Sequence, residues 1–255
     1  MANYYYIVAG LPDIGFDDSK AAYTVAQFRE EVYASLSKAD RKVMDLLLLE
    51  DTCRSLINDR ENFELTDDMP QFIGVYLREL KDESWREKAA FAEDRLWSLF
   101  YEYAMSVNNG FVRKWYEFNL NMNNITSAIT ARKYNLDIQK VIVGSGDVAN
   151  ALRTSGARDW GLSQEVECFE DVARLTEEDD LSQRERKGDM IRWRWLEDNT
   201  FFNYFSVEKL FSYMVRLGMV ERWSSLDREE GQKLFRKLIG DLKQQTEVPD
   251  EFRVK

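Results

Sequence analysis

Chain breakers are scarce in this sequence. Only three prolines, Pro12, Pro70 and Pro249, and twelve glycines occur in 255 residues. In a helix interior proline costs about 3 kcal/mol and glycine about 1 kcal/mol relative to alanine. Long stretches free of both and rich in Glu, Lys, Arg, Leu and Ala therefore predict a chain that is mostly helix. The periodicity agrees. From Leu96, apolar residues recur at Phe100, Tyr103, Val107, Phe111, Trp115, Phe118, Met122, Ile125 and Ile129 in steps of three and four, the signature of a helical face packed as core. Repeated steps of four beside Asn108-Asn109-Gly110 mark either a stop at a left-handed glycine cap or a bend in a long helix.

Boundary signals place the other helices. Asp18 or Ser19 starts one carrying Val25, Phe28, Val32 and Leu36, and Ser37 to Asp40 leads into Val43–Ile57. Thr66-Asp67-Asp68 precedes a segment around Phe72, Val75, Tyr76 and Leu80. Ser84 with Glu87 fits a capping box for the long aromatic helix. Further helices are expected over Val166–Leu175, Ser182–Leu196, Ser206–Leu217 and Asp227–Lys243. No run alternates with period two for long enough to predict a sheet strand; Tyr4–Val8 alone reads as extended. The fold class is all-α. With no Pro/Ser/Gly linker, residues 1–255 form a single elongated helical domain with weak boundaries near 143–147 and 177–181. The acidic run Glu177-Glu178-Asp179-Asp180, followed by Arg184, Arg186 and Lys187, reads as a solvated helix end.

Composition narrows function by exclusion. There is no histidine, and so no Ser/His/Asp or Cys/His nucleophile pair, no imidazole base, no His-bearing zinc site and no Glu-x-x-His di-iron motif. The two cysteines, Cys53 and Cys168, are too far apart in sequence for a redox or metal pair and read as buried thiols in a reducing compartment. A net charge of −11 disfavours phosphate-backbone binding, which needs clustered Lys and Arg. The sequence starts without a basic leader region, and its longest aliphatic run, Leu46–Leu49, is far short of the ~20 residues that span a bilayer. A cytoplasmic location follows.

The nominal motifs fail on their chemistry. Gly10 and Gly15 have P-loop spacing, but Phe16 and Asp17 stand where Lys and Ser/Thr must hold phosphate and magnesium. Gly144-x-Gly146 lacks a third glycine and reads as a turn. Asn124-Ile125-Thr126 is a glycosylation sequon without a secretory route. Arg192-Trp193-Arg194-Trp195 interleaves base and aromatic as single-strand binders do, yet on a helix the four point in different directions, with Asp189, Glu197 and Asp198 offsetting the charge. Core anchoring is the expectation. Glu50-Asp51 offers paired carboxylates for acid/base work, but no pair stands out among 46 acidic residues.

The most informative stretch is Asn124–Asp147. Ile125, Ala128, Ile129 and Arg132 lie on or beside one face of an amphipathic helix that stops at Asn135, a residue tolerant of the left-handed conformation. Leu136 then folds back apolarly and Asp137 caps the next short helix. This stretch resembles the Asn-Ile-Lys-x-x-Leu-Arg-x-Lys segment, Gly-Leu-Ser and glycine-bearing turn of the C subunit of V/A-type ATPases, the counterpart of the d subunit of eukaryotic V-ATPases. Asn124 and Ile125 match, Arg132 takes the later basic position, and Asn135-Leu136-Asp137 replaces Gly-Leu-Ser. The opening Asn3–Ala9 is similar to the family's Tyr-rich start, most closely in the shorter bacterial proteins that resemble the C subunit. Phe205–Met214, with Phe205, Glu208 and Tyr213, is similar to its last-repeat phrase. Gly10 and Thr130 stand where the family usually has Arg.

The resemblance implies a helical body of two or three lobes, with one missing or reduced in so short a chain. It also implies a non-enzymatic central-rotor component seated between the rotating axle and the membrane rotor ring. Such a component passes torque between ATP chemistry and ion transport, at the cytoplasmic face of the inner membrane. Its partners are the axle subunits and the ring, with no cofactor, metal, nucleic acid or small-molecule substrate. The alternatives are a cytosolic helical adaptor unrelated to ATPases and a carboxylate-dependent hydrolase.

Overall fold

A computed structural model of the chain describes residues 4–18, 21–81 and 92–245, those after Leu226 by backbone alone. The described residues form eleven helices and no strand. These are α1 (Tyr5–Gly10), α2 (Val25–Tyr33), α3 (Lys38–Asn58), α4 (Gln71–Lys81), α5 (Ala92–Ser106), α6 (Gly110–Lys133), α7 (Ile138–Val141), α8 (Asp147–Thr154), α9 (Phe169–Leu175), α10 (Leu181–Thr200) and α11 (Val207–Gln245). The all-α class holds. The expected Ser84/Glu87 capping box and the Ser19 start lie outside the described residues.

Several boundaries differ from expectation, each for a local reason. Tyr4–Val8 is not extended: with no strand to pair with among the described residues, it closes into α1, Val8 N–H donating to the Tyr4 carbonyl at 2.9 Å. Asp18 does not start α2, because its carboxylate accepts the Gly15 N–H at 2.7 Å. Thr24 caps α2 instead, in a capping box with Gln27. Between α5 and α6 there is neither a left-handed glycine nor a bent helix. Asn109, in extended conformation, accepts the Val112 N–H and starts α6 with Gly110 as its first residue. The two helices expected over Ser206–Leu217 and Asp227–Lys243 are one. Nothing between them breaks the ladder, Gly218 included, and α11 runs for 39 residues, roughly 58 Å at 1.5 Å per residue.

Other signals act as read. Ser37 caps α3, Asp180 caps α10 by accepting the Gln183 N–H at 2.8 Å, and Arg184 returns to the Glu178 carbonyl at 2.9 Å. The acidic run is the start of a helix.

Packing divides into a large core, a second core and a small third one. The first unites α2–α5, the N-terminal half of α6 and α11, around Phe28, Met44, Leu56, Phe100, Tyr116 and Phe211, each almost wholly buried. The second gathers Met122, Ile125 and Ala128 of α6 with Ile142, Leu152, Trp160 and α9. Phe118 touches both, so α6 is common to them. The third sits where Phe16 meets Trp193 of α10 and Met219 and Val220 of α11. The Arg-Trp-Arg-Trp run of α10 serves as core anchor. Trp193 packs edge-on against Phe16 at 5.4 Å, and Trp195 stacks on Phe118 at 5.1 Å. Nearby, the buried Asp189 carboxylate accepts from Trp223 Nε1 at 2.9 Å and pairs with Arg222, joining α10 to α11.

Candidate functional site

The Asn124–Asp147 stretch forms a locked helix-turn joint. Asn124 is 2% exposed on α6. Its side-chain amide donates to the Val143 carbonyl at 2.8 Å and accepts the Val143 N–H at 2.9 Å. One side chain thus satisfies both backbone groups of a residue nineteen positions away. The sequon is closed in this geometry, since its amide nitrogen is buried and bonded. Ile125 is fully buried beside it in the second core.

At the end of α6, Asn135 takes φ +54°. The Leu136 N–H donates to the Ala131 carbonyl at 2.8 Å and the Asn135 N–H to the Arg132 carbonyl at 3.3 Å, the paired bonds of a Schellman stop. Leu136 does not fold back apolarly as expected; it is 57% exposed. The backbone bonds alone close this stop, and Ala131, its partner position, is a small side chain already buried. Asp137 caps α7 by accepting the Gln139 N–H at 3.1 Å. Arg132 lies 3.6 Å above the Trp160 ring and donates to the carbonyls of Arg158 and Ala157 at 2.5 and 3.2 Å. It therefore fastens the 155–161 loop to α6.

Arg153 of α8 completes the joint. Its guanidinium donates to the Gly144 and Ile142 carbonyls, both at 2.7 Å. Gly144 has φ +79°, and a Cβ there would stand 3.2 Å from Leu120 Cδ2. Glycine is favoured at this position on both counts. Arg153 is absent from the residues that the sequence singles out; an arginine following a glycine-bearing turn is the one available signal.

Beside this turn lies an open cleft of about 510 Å³, lined by Asp94, Arg95 and Glu102 of α5 and by Lys140, Ser145 and Arg153. Burial, then the neighbouring Glu93, raises the Asp94 carboxyl above its ordinary value. Arg95 forms a two-pronged pair with Glu79 at 2.9 and 2.8 Å, and that hydrogen bonding lowers the Glu79 carboxyl. The cleft mixes both signs of charge. Among the described residues no cluster of three or more Cys, Asp or Glu is placed to hold a metal ion.

The second motif group stands elsewhere. Glu208, in the first turn of α11, accepts from Asn109 Nδ2 at 2.8 Å, so Asn109 both caps α6 and ties it to α11. Phe205 packs against Tyr5 at 4.7 Å, and its carbonyl accepts the Tyr4 N–H at 2.8 Å. Tyr213 is buried, stacks on Phe28 at 5.3 Å and donates to the Pro12 carbonyl at 3.0 Å. From Asn109, the cap of α6, to Asn124 within it is fifteen residues, roughly 22 Å. The predicted residues thus form separate fastenings rather than one pocket: Asn124 and Arg132 on α6, Glu208 against the cap of α6, and Phe205 and Tyr213 against the N-terminal segment and α2. Glu50 does not pair with Asp51 but with Arg54, at 2.7 Å.

Fold and joints define an all-helical protein whose marked residues hold elements together. A family model described as a protein of unknown function (DUF2764) matches residues 1–63 and 50–246, and the chain belongs to that family. No curated protein and no solved structure matches it. Among the described residues no helix is long and apolar enough to cross a membrane.

Proposed function

We propose that this chain is a non-enzymatic coupling component of a V/A-type ATPase. It links the rotating central axle to the membrane rotor ring at the cytoplasmic face of the inner membrane and takes no cofactor or small-molecule substrate. The observation that carries the reading is the Asn124–Asp147 joint. Of the residues that resemble the ATPase C subunit, Asn124 locks the turn onto α6 through Val143 and Arg132 fastens the 155–161 loop to it, while Asn135 and Asp137, which stand in place of the family's Gly and Ser, stop α6 and cap α7. Torque transfer needs a body that does not yield between its contact surfaces, and close packing of the aromatic-rich cores supplies low compliance.

The test is recovery of the tagged full chain from detergent-solubilised membranes of its own organism. Axle and ring subunits are expected to come with it; recovery without any ATPase component refutes the proposal.

A further inference from the structure

Two segments far apart in sequence meet to form a surface without charge. None of the nine residues Tyr4–Pro12 and none of the nine residues Asn199–Val207 is Asp, Glu, Lys or Arg, in a chain where 32% of residues are. The segments are joined by the hydrogen bond from the Tyr4 N–H to the Phe205 carbonyl and by the Tyr5–Phe205 ring contact. Around this junction Tyr6 is 90% exposed, Phe202 82%, Phe201 63% and Tyr204 58%. Phe201 and Phe202 contact each other edge-on at 5.0 Å, in the turn that joins α10 to α11. Phenylalanine rings flanked by tyrosine hydroxyls and by the exposed Asn199 and half-exposed Asn203 combine the apolar and hydrogen-bonding groups that a bilayer interface accepts.

We infer that this aromatic surface inserts into the interfacial region of a lipid bilayer. Tyr6 and Phe202, each with four-fifths or more of its surface free, stand out beyond the rings packed edge-on beside them, Tyr5 and Phe201. A fluid acyl boundary can surround such rings, whereas a folded protein partner needs a matching pocket for each. The absence of charge across the patch also selects the lipid. An acidic chain of net charge −11 is repelled by anionic headgroups, so attachment rests on apolar burial into zwitterionic lipid and not on electrostatic attraction. The inference stands apart from the axle-and-ring proposal: a chain that binds bilayers through this patch yet recovers no ATPase component keeps this inference and loses that one.

The experiment is co-sedimentation of the full chain with phosphatidylcholine vesicles, with and without phosphatidylglycerol. Binding to phosphatidylcholine is expected, persisting at about 1 M salt, where charges are screened within about 3 Å. Added phosphatidylglycerol is expected to weaken it at low salt. The double variant Tyr6→Ser/Phe202→Ser should lower the partition coefficient about tenfold or more. Leu181→Ser, at a 67%-exposed apolar residue on α10, should leave it unchanged and serves as the control for general stickiness. No binding to either vesicle, binding that requires phosphatidylglycerol, or equal loss in both variants overturns the inference. So does capture of a protein or of a second copy through Tyr6 and Phe202 without vesicle binding.

Discussion

Asn124 and Asn135, at the middle and the end of α6, divide what sequence can and cannot reveal. The left-handed stop at Asn135 is legible because its cause is local: a short polar side chain tolerates φ > 0, and the residues it must bond lie within one turn. The clamp made by Asn124 is not, because its partner Val143 lies across a helix end, a short helix and a turn. Only the position of Asn124 is readable, not its task. Replacing it by alanine leaves the Val143 N–H and C=O without their partner. A fully buried group stripped of its bond costs about 1–3 kcal/mol, so two cost about 2–6 kcal/mol; Val143 is half-buried, so Asn124→Ala is expected to lower unfolding free energy by the lower part of that range, about 2–4 kcal/mol, read from urea midpoints. Asn124→Asp keeps an acceptor for the N–H but turns a carboxylate toward the carbonyl, and should destabilise as well. A loss under about 0.5 kcal/mol, the size of an ordinary surface change, contradicts the clamp.

Elements follow from sequence where a cap is strong and mislead where two candidates compete. Ser37 stands before the apolar pattern it leads into and caps α3, and the acidic run read as a solvated helix end supplies Asp180 as the cap of α10. Asp18 competes with Thr24, and the turn at Gly15 decides between them, a contest that no periodicity displays. The continuity of α11 is hidden in the sequence because Gly218 and Ser224-Ser225 resemble a gap. A lone glycine costs about 1 kcal/mol in a helix, less than abandoning the hydrogen bonds on either side. The α5–α6 break is the informative junction, because Asn109 supplies both the cap of α6 and the bond to Glu208. Asn109→Ala is therefore expected to cost about 1–2 kcal/mol, measured by thermal unfolding. Glu208→Gln keeps an acceptor for Asn109 and forfeits only the favourable charge at the start of α11, about 0.3–1 kcal/mol. If the two variants cost the same, Asn109 is not the cap that starts α6.

Across the whole molecule, the aromatic content reads as core from sequence, but which aromatics face outward becomes readable only once α1 and the α10–α11 turn stand side by side. The buried ones set the response to alkali. Burial, the largest cause in each case, pushes the Tyr33 phenol and the Cys53 thiol up to about 12 and holds Tyr101 and Tyr116 above their ordinary range. These groups stay neutral in the folded chain while the unfolded chain ionises its thiols near pH 8.5 and its phenols near pH 10. Their contribution to stability is thus complete below about pH 8.5 and falls as pH rises toward 12. Urea midpoints should decline through that window together with a late, cooperative rise in phenolate absorbance from the buried tyrosines; a rise near pH 10 that accounts for all twelve tyrosines with the fold intact argues against the buried phenols. The net charge of −11 governs the remaining behaviour. In the proposed coupling role it would attract a locally basic axle foot at long range, and the Debye length shrinks from about 10 Å at 0.1 M salt to about 3 Å at 1 M, so the proposed axle binding should weaken steeply over that range, mainly through a slower on-rate. Attachment through the uncharged aromatic surface should not. Titrating salt against the axle subunits and against phosphatidylcholine vesicles in parallel separates the two surfaces: axle affinity indifferent to salt removes electrostatic steering from the coupling mechanism, while the vesicle curve stays flat regardless of that result.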